Sequence, residues 1–261
     1  MINELNQYEI GFFNILNMGK KIWSDNIKTM AFILMIIFFP VNLMLSIINQ
    51  LMLNTVSDIN MDILFQNLGT VGFDALPKDY IIYNFLYIVV QVFFQPLGIM
   101  AVAYVTWKCV KKESVNYKEA VSFSLEKGGI FLISAFIYIF FIFVGGILVF
   151  PAIYICIAGY FYFYAIIIDN KNPLFAIGHS MIIVKGRWFR TFAYLMIIDG
   201  FKYVVSLAVF YVLDIFLGQH IFMLNTIGGT IASFFNIIFY CSISLIYINR
   251  KLLLERKIKP A

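Results

Sequence analysis

The 261-residue chain is 62% hydrophobic and 13% charged, with a mean hydropathy of +0.89, whereas soluble domains carry about 25% charged residues. Its 29 Phe and 16 Tyr exceed what a water-soluble core of this size buries without large exposed apolar patches, so lipid is the predicted solvent. The net charge of +5 does not imply nucleic acid, because the basic residues stand at the ends of apolar runs, as positive-inside signals do.

In chain order, residues 9–23 read as an amphipathic interfacial helix, with Ile10, Phe13, Leu16 and Met18 set against Asn14, Asn17, Lys20 and Lys21. No short apolar core preceded by positive charge opens the chain, so the first span is expected to act as an uncleaved anchor. That span covers about 31–53 and contains Pro40, a break tolerated in lipid when neighbours satisfy the freed carbonyl. Residues 54–80 form an acidic connection in which a short amphipathic helix is predicted around Met61–Leu68. The second span, about 81–107, contains Pro96, and a basic stretch from Lys108 to Gly128 follows.

Residues 129–168 hold no charge. As one helix they would reach about 60 Å, twice the roughly 30 Å hydrocarbon core. They must therefore form two spans, about 129–147 and 150–168, turning at Gly145-Gly146 and Pro151. An elbow, Asp169–Phe192, leads to a fifth span at about 191–213 and a sixth at about 226–249, followed by a basic tail. The predicted fold is a single all-α domain. It is a polytopic integral membrane protein of six transmembrane helices with amphipathic interfacial elbow helices.

Seventeen of the 19 Lys and Arg fall on the side shared by both termini, the 108–128 loop and the elbow; the others are Lys78 and Lys202. This bias predicts a multi-pass protein with both termini in the cytoplasm, the cytoplasmic membrane of a bacterium being the expected location. A weak internal repeat aligns Asn116, Ala120 and Ser124 with Asn172, Ala176 and Ser180, each set followed by Lys-Gly. It implies three units, each an interfacial helix followed by a helical hairpin, with residues 9–23 as a diverged first copy.

The elbow residues Asp169, Asn172-Pro173-Leu174, Ala176, Ser180 and Lys185-Gly186-Arg187-Trp188 resemble those of the six-helix membrane domain that some bacteria fuse to glycerophosphodiester phosphodiesterases, and of its stand-alone relatives. In that family the catalytic activity resides in a separate soluble barrel, which this sequence does not contain. The resemblance therefore implies the membrane architecture and not the phosphodiesterase activity.

Within the spans, Asp199 and Lys202 are the sharpest candidates. At helical rise they lie about 12 and 17 Å inside the fifth span, where ionisable groups usually face a bundle interior or a watery cavity. Their i,i+3 spacing lets them pair, and Asp199 is expected to face the interior. Ser206, Asn236, Gln91 and Gln95 complete this candidate polar site; Gly229, Ser233, Asn236, Tyr240, Ser244 and Tyr247 form a stripe at helical spacing on the sixth span. Lys185, Arg187, Trp188 and Arg190 are candidate contacts for anionic headgroups or a partner, and also serve as topology signals and interfacial anchors. His179 and His220 fall on opposite predicted sides. The three cysteines, Cys109, Cys156 and Cys241, form no CxxC pair. No metal site, cofactor or catalytic motif is indicated.

Three function classes follow. The first is a non-catalytic membrane module assisting transport, lipid handling or a membrane partner. The second is a transporter or permease-like subunit using Asp199 and Lys202. The third is a membrane enzyme acting on lipid headgroups. Expected partners are membrane lipids and another membrane protein or an ATPase subunit, and not nucleic acid.

Overall fold

The computed structural model describes residues 5, 7–57 and 76–258; the helix expected around Met61–Leu68 lies outside the described residues. Among these, the regular elements are all helices: α1 (Phe12–Asp25), α2 (Ile27–Val56), α3 (Lys78–Val110), α4 (Tyr117–Glu126), α5 (Gly128–Gly146), α6 (Phe150–Asp169), α7 (Pro173–Val184), α8 (Trp188–Leu217) and α9 (Ile221–Ile258). Six of them, α2, α3, α5, α6, α8 and α9, are long and apolar enough to cross a membrane, which fits a multi-pass membrane protein.

The prolines act where they stand. Pro40 has no N–H to offer the carbonyl four residues back, and the helix widens just before it into a π-turn at Leu34–Phe38, a known accommodation of such a defect. Pro96 divides α3 into Lys78–Phe93 and Gln95–Val110. The two irregularities interlock: a Cβ on Gly98 would lie 2.6 Å from Phe38 Cζ, so only glycine admits that ring. Phe38 then stacks on Tyr240 of α9, with ring centres 6.0 Å apart.

The chain builds three elbow-and-hairpin units: α1 with α2 and α3, α4 with α5 and α6, α7 with α8 and α9. The second span of each hairpin forms the centre. Residues 100–106 of α3, 161–168 of α6 and 240–250 of α9 are buried without interruption, the signature of helices enclosed on every side. Among the first spans, α2 adds Met30, Ile33, Ile37 and Phe38 to the core, α5 is mostly exposed, and α8 has no buried residue in its most apolar stretch. Each elbow helix packs on the span that precedes it, α4 on α3, α7 on α6, and α1 on α9, which closes the ring.

The repeat residues explain this docking. Ala120, Ser124, Ala176 and Ser180 are all fully buried. Ser124 Oγ donates to the Leu97 carbonyl at 2.6 Å, just beyond the break in α3. Ser180 Oγ donates to the Ala158 carbonyl at 2.7 Å and accepts from Phe161 N at 3.0 Å, at the interruption of α6. Each serine thus serves buried backbone groups at a helix irregularity, which need a partner once the helix no longer supplies one.

One boundary differs from expectation. The segment read as a basic tail after the sixth span is helical to Ile258, and Arg250 is 98% buried. Charges at a span end satisfy a topology rule and an internal ion network equally well.

Candidate functional site

The polar residues gather at the elbow end of the bundle, where α1, α4 and α7 and both ends of the described chain meet. Three consecutive residues of α9 organise them. Asn249 Nδ2 donates to the carbonyls of Leu5 at 2.7 Å and Tyr8 at 3.0 Å, and its Oδ1 accepts from Ile10 N at 3.3 Å. Lys251 pairs with Asp169 and lies 4.6 Å from the centre of the Trp107 ring. Arg250 Nη1 donates to Thr191 Oγ1, and Thr191 in turn donates to the Arg187 carbonyl at 2.8 Å.

Two carboxylates anchor this end. Asp169 ends α6, where Asn170 adopts the left-handed conformation (φ +51°) and the Lys171 N–H returns to the Ala165 carbonyl at 3.2 Å, a standard way of closing a helix. Its carboxylate receives the Tyr247 hydroxyl and the Lys251 ammonium, and lies 3.1 Å from His179 Nε2. Glu9 meets Arg187 Nε at 3.2 Å and Arg190 Nη1 at 2.9 Å through one oxygen. Its other oxygen stands 3.6 Å from Arg250 Nη2, and neither of these two atoms makes a hydrogen bond. Glu9 is thus outnumbered three to one by arginines.

The elbow between α7 and α8 completes the arrangement. Arg187 N donates to the Val184 carbonyl at 2.9 Å; Lys185 (φ −53°, ψ 129°) and Gly186 (φ +77°) occupy its corners. This is a type II turn, which needs glycine at its second corner. A cavity of about 180 Å³ opens between this turn and the last turns of α9, lined by Lys185, Gly186, Arg187 and Arg250 with apolar walls that include Ile182 and Leu254. Trp188 is engaged elsewhere: its indole N–H donates to the Tyr154 carbonyl at 3.2 Å, and its ring stacks on Phe192.

The candidate residues inside the bundle come together in part. Lys202 Nζ is 2.8 Å from Asp199 Oδ1 and 5.1 Å from the centre of the Tyr240 ring. Gln95 stands beside the Tyr240 hydroxyl. Asn236 Nδ2 reaches Ser206 Oγ at 3.4 Å, while Asn236 Oδ1 is buried without a partner. Gln91 is exposed on α3. Asp199 does not face the interior as expected: its side chain is 49% exposed on α8, while Lys202 turns inward at 21%. Opposite the elbow end, Asn42 donates to Ser233 Oγ at 3.2 Å.

Sequence reasoning passed over Glu9, Thr191, Asn249, Arg250 and Lys251, and gave His179 no role. One signal was available. The polar stripe noted on the sixth span, continued four residues past Tyr247, arrives at Lys251.

The three elbow-and-hairpin units, with six helices suited by length and composition to membrane spans, define the class as a helical bundle of multi-pass type. Compared with known proteins, the chain matches no family model, no curated protein and no solved structure.

Proposed function

We propose that this protein is a non-catalytic module of the bacterial cytoplasmic membrane, with its elbow end in the cytoplasm, that handles anionic lipid. The observation that carries this reading is the imbalance at the elbow, where Arg187, Arg190 and Arg250 converge on the single carboxylate of Glu9. An excess of cations at the membrane boundary attracts anionic headgroups by about 1 kcal/mol per residue. The elbow residues that carry the resemblance to the phosphodiesterase-associated membrane domain, Asp169, Ser180, Lys185 and Gly186 among them, also build this joint. The reading therefore counts the chain among the stand-alone relatives of that domain, without the hydrolytic activity of the separate barrel.

Two measurements test it. The purified chain in zwitterionic detergent should melt several degrees higher with phosphatidylglycerol than with phosphatidylcholine; equal responses would defeat the lipid reading. A cysteine at position 185 should react with an impermeant thiol reagent only after cells are opened, and one at 220 in intact cells. The reverse pattern would invert the orientation.

A second reading, a permease-like subunit, is favoured by the Asp199–Lys202 pair, which sits with Tyr240 one helical turn from the Ser206–Asn236 contact. A pH-dependent flux in proteoliposomes that disappears in Asp199→Asn would support it, and flux equal to protein-free vesicles would remove it.

A further inference from the structure

The cavity at the elbow has the chemistry of a receptor for one particular group. We propose that the space between the Lys185-Gly186-Arg187 turn and the end of α9 binds a phosphate-bearing anion, with Arg250 at its floor and Lys185 and Arg187 at its mouth. This deepens the lipid-handling reading by naming the ligand group and its residues.

Four observations support it. First, Arg250 is 98% buried and lines the cavity, yet its Nη2 makes no hydrogen bond and its nearest carboxylate oxygen is 3.6 Å away. A buried guanidinium normally has its donors satisfied, because removing it from water is costly. Arg250 therefore supplies uncompensated positive charge behind the cavity, while Arg187, 30% exposed, and Lys185 offer their donors at its mouth.

Second, the charges do not balance. Arg187, Arg190 and Arg250 share Glu9, and with Lys185 on the same cavity four cations stand against one carboxylate, three positive charges in excess. Of the other carboxylates at this end, Asp169 holds Lys251, and Glu255 stands 3.9 Å from the same ammonium. A carboxylate ligand would offset one charge, whereas a phosphate carries one to two and presents several acceptor oxygens.

Third, the size fits. One water needs about 10–15 Å³ of cavity space, so a cavity of about 180 Å³ has room for a phosphate with its ester oxygens. Fourth, the walls are of two kinds. The turn supplies cations and a glycine with no side chain to obstruct the entrance, and nothing lies within 4 Å of where its Cβ would be. Ile182, 54% exposed, and Leu254 supply an apolar flank, which suits the glycerol portion of a lipid.

The phosphate group could come from a phospholipid headgroup or from a soluble phosphate. The test uses the full chain in zwitterionic detergent, titrated separately with phosphatidylglycerol in mixed micelles and with inorganic phosphate, binding being followed by thermal shift and by native mass spectrometry. Lys185→Gln is the principal variant, because Lys185 is exposed and lies in no ion pair of the hub; Lys185→Arg is its rescue. The expected result is at least a tenfold loss of affinity in Lys185→Gln, recovery in Lys185→Arg, and unchanged melting without ligand. Saturable binding of lipid with this dependence assigns the site to headgroups. The same dependence with inorganic phosphate alone upholds the site but overturns the lipid-handling reading. If phosphatidylglycerol stabilises wild type and Lys185→Gln alike and phosphate binds neither, the site is overturned while the lipid reading survives.

Discussion

The elbows at α4 and α7 share a packing scheme and differ in wiring. Both bury an alanine and a serine on the preceding span, and both serines donate to a backbone carbonyl near a helix break. Around α4 the charges are local and exposed: Lys108 meets Glu113 at 2.7 Å and Glu119 at 3.6 Å. Around α7 they reach across the chain, Arg187 and Arg190 to Glu9 and Asp169 to Lys251. A repeated scaffold thus carries a short-range charge set in one unit and a long-range one in another, and the enclosed members of the second, Arg250, Asp169 and Lys251, make it expensive to break.

The largest expected effect comes from Glu9→Gln, which leaves three arginines with no carboxylate between them. Removing one partner of a buried ion pair costs about 3–5 kcal/mol; with Arg250 buried but Arg187 and Arg190 30% and 41% exposed, chemical unfolding in detergent should show a loss near the lower end, about 3 kcal/mol. Gly19→Ser, which gives the first elbow the residue its two counterparts carry, should come next. A Cβ there overlaps Ser242 Oγ and sits 3.0 Å from the Ile238 carbonyl oxygen, and overpacking costs about 1–3 kcal/mol. If the substitution is neutral, α1 does not dock as the third member of the set.

The paired serines sharpen the comparison further. Ser180→Ala forfeits a bond to Ala158 O and another from Phe161 N, leaving buried groups unmatched at about 1–3 kcal/mol. Ser124→Ala forfeits one bond, to Leu97 O, and should lose less. Equal losses would mean that the two elbows are held by apolar packing alone. Smallest of all, Glu113→Gln should leave the melting temperature unchanged, since its pair with Lys108 is exposed and such pairs contribute little.

These contrasts mark what the sequence could reveal. Hydropathy is a local property, so the reversal at Gly145–Pro151 and the six apolar helices were legible from short windows. The repeat was legible as well, because Asn116, Ala120 and Ser124 recur as Asn172, Ala176 and Ser180 at the same spacing. The direction of Asp199 was not: when a helix is apolar on the lipid side and on the protein side, periodicity cannot tell the faces apart. Nor was the pairing of Glu9 with Arg250, which joins residues at opposite ends of the chain. The cations of the elbow were found from sequence, but the buried Arg250 that floors their cavity was hidden among charges that topology alone explains.

Asn249, Arg250 and Lys251 have a consequence for how α9 tolerates change. Successive side chains on a helix point about 100° apart, so these three sweep most of a circle. Asn249 reads the chain's beginning, Arg250 the start of α8, and Lys251 the end of α6. The rotational phase of α9 therefore indexes all three units at once. One residue inserted between 241 and 248 would turn Asn249 towards Arg250's partner, Arg250 towards Lys251's, and Lys251 away from all three, whereas an insertion completing a whole turn would shift them along the axis and keep their bearings.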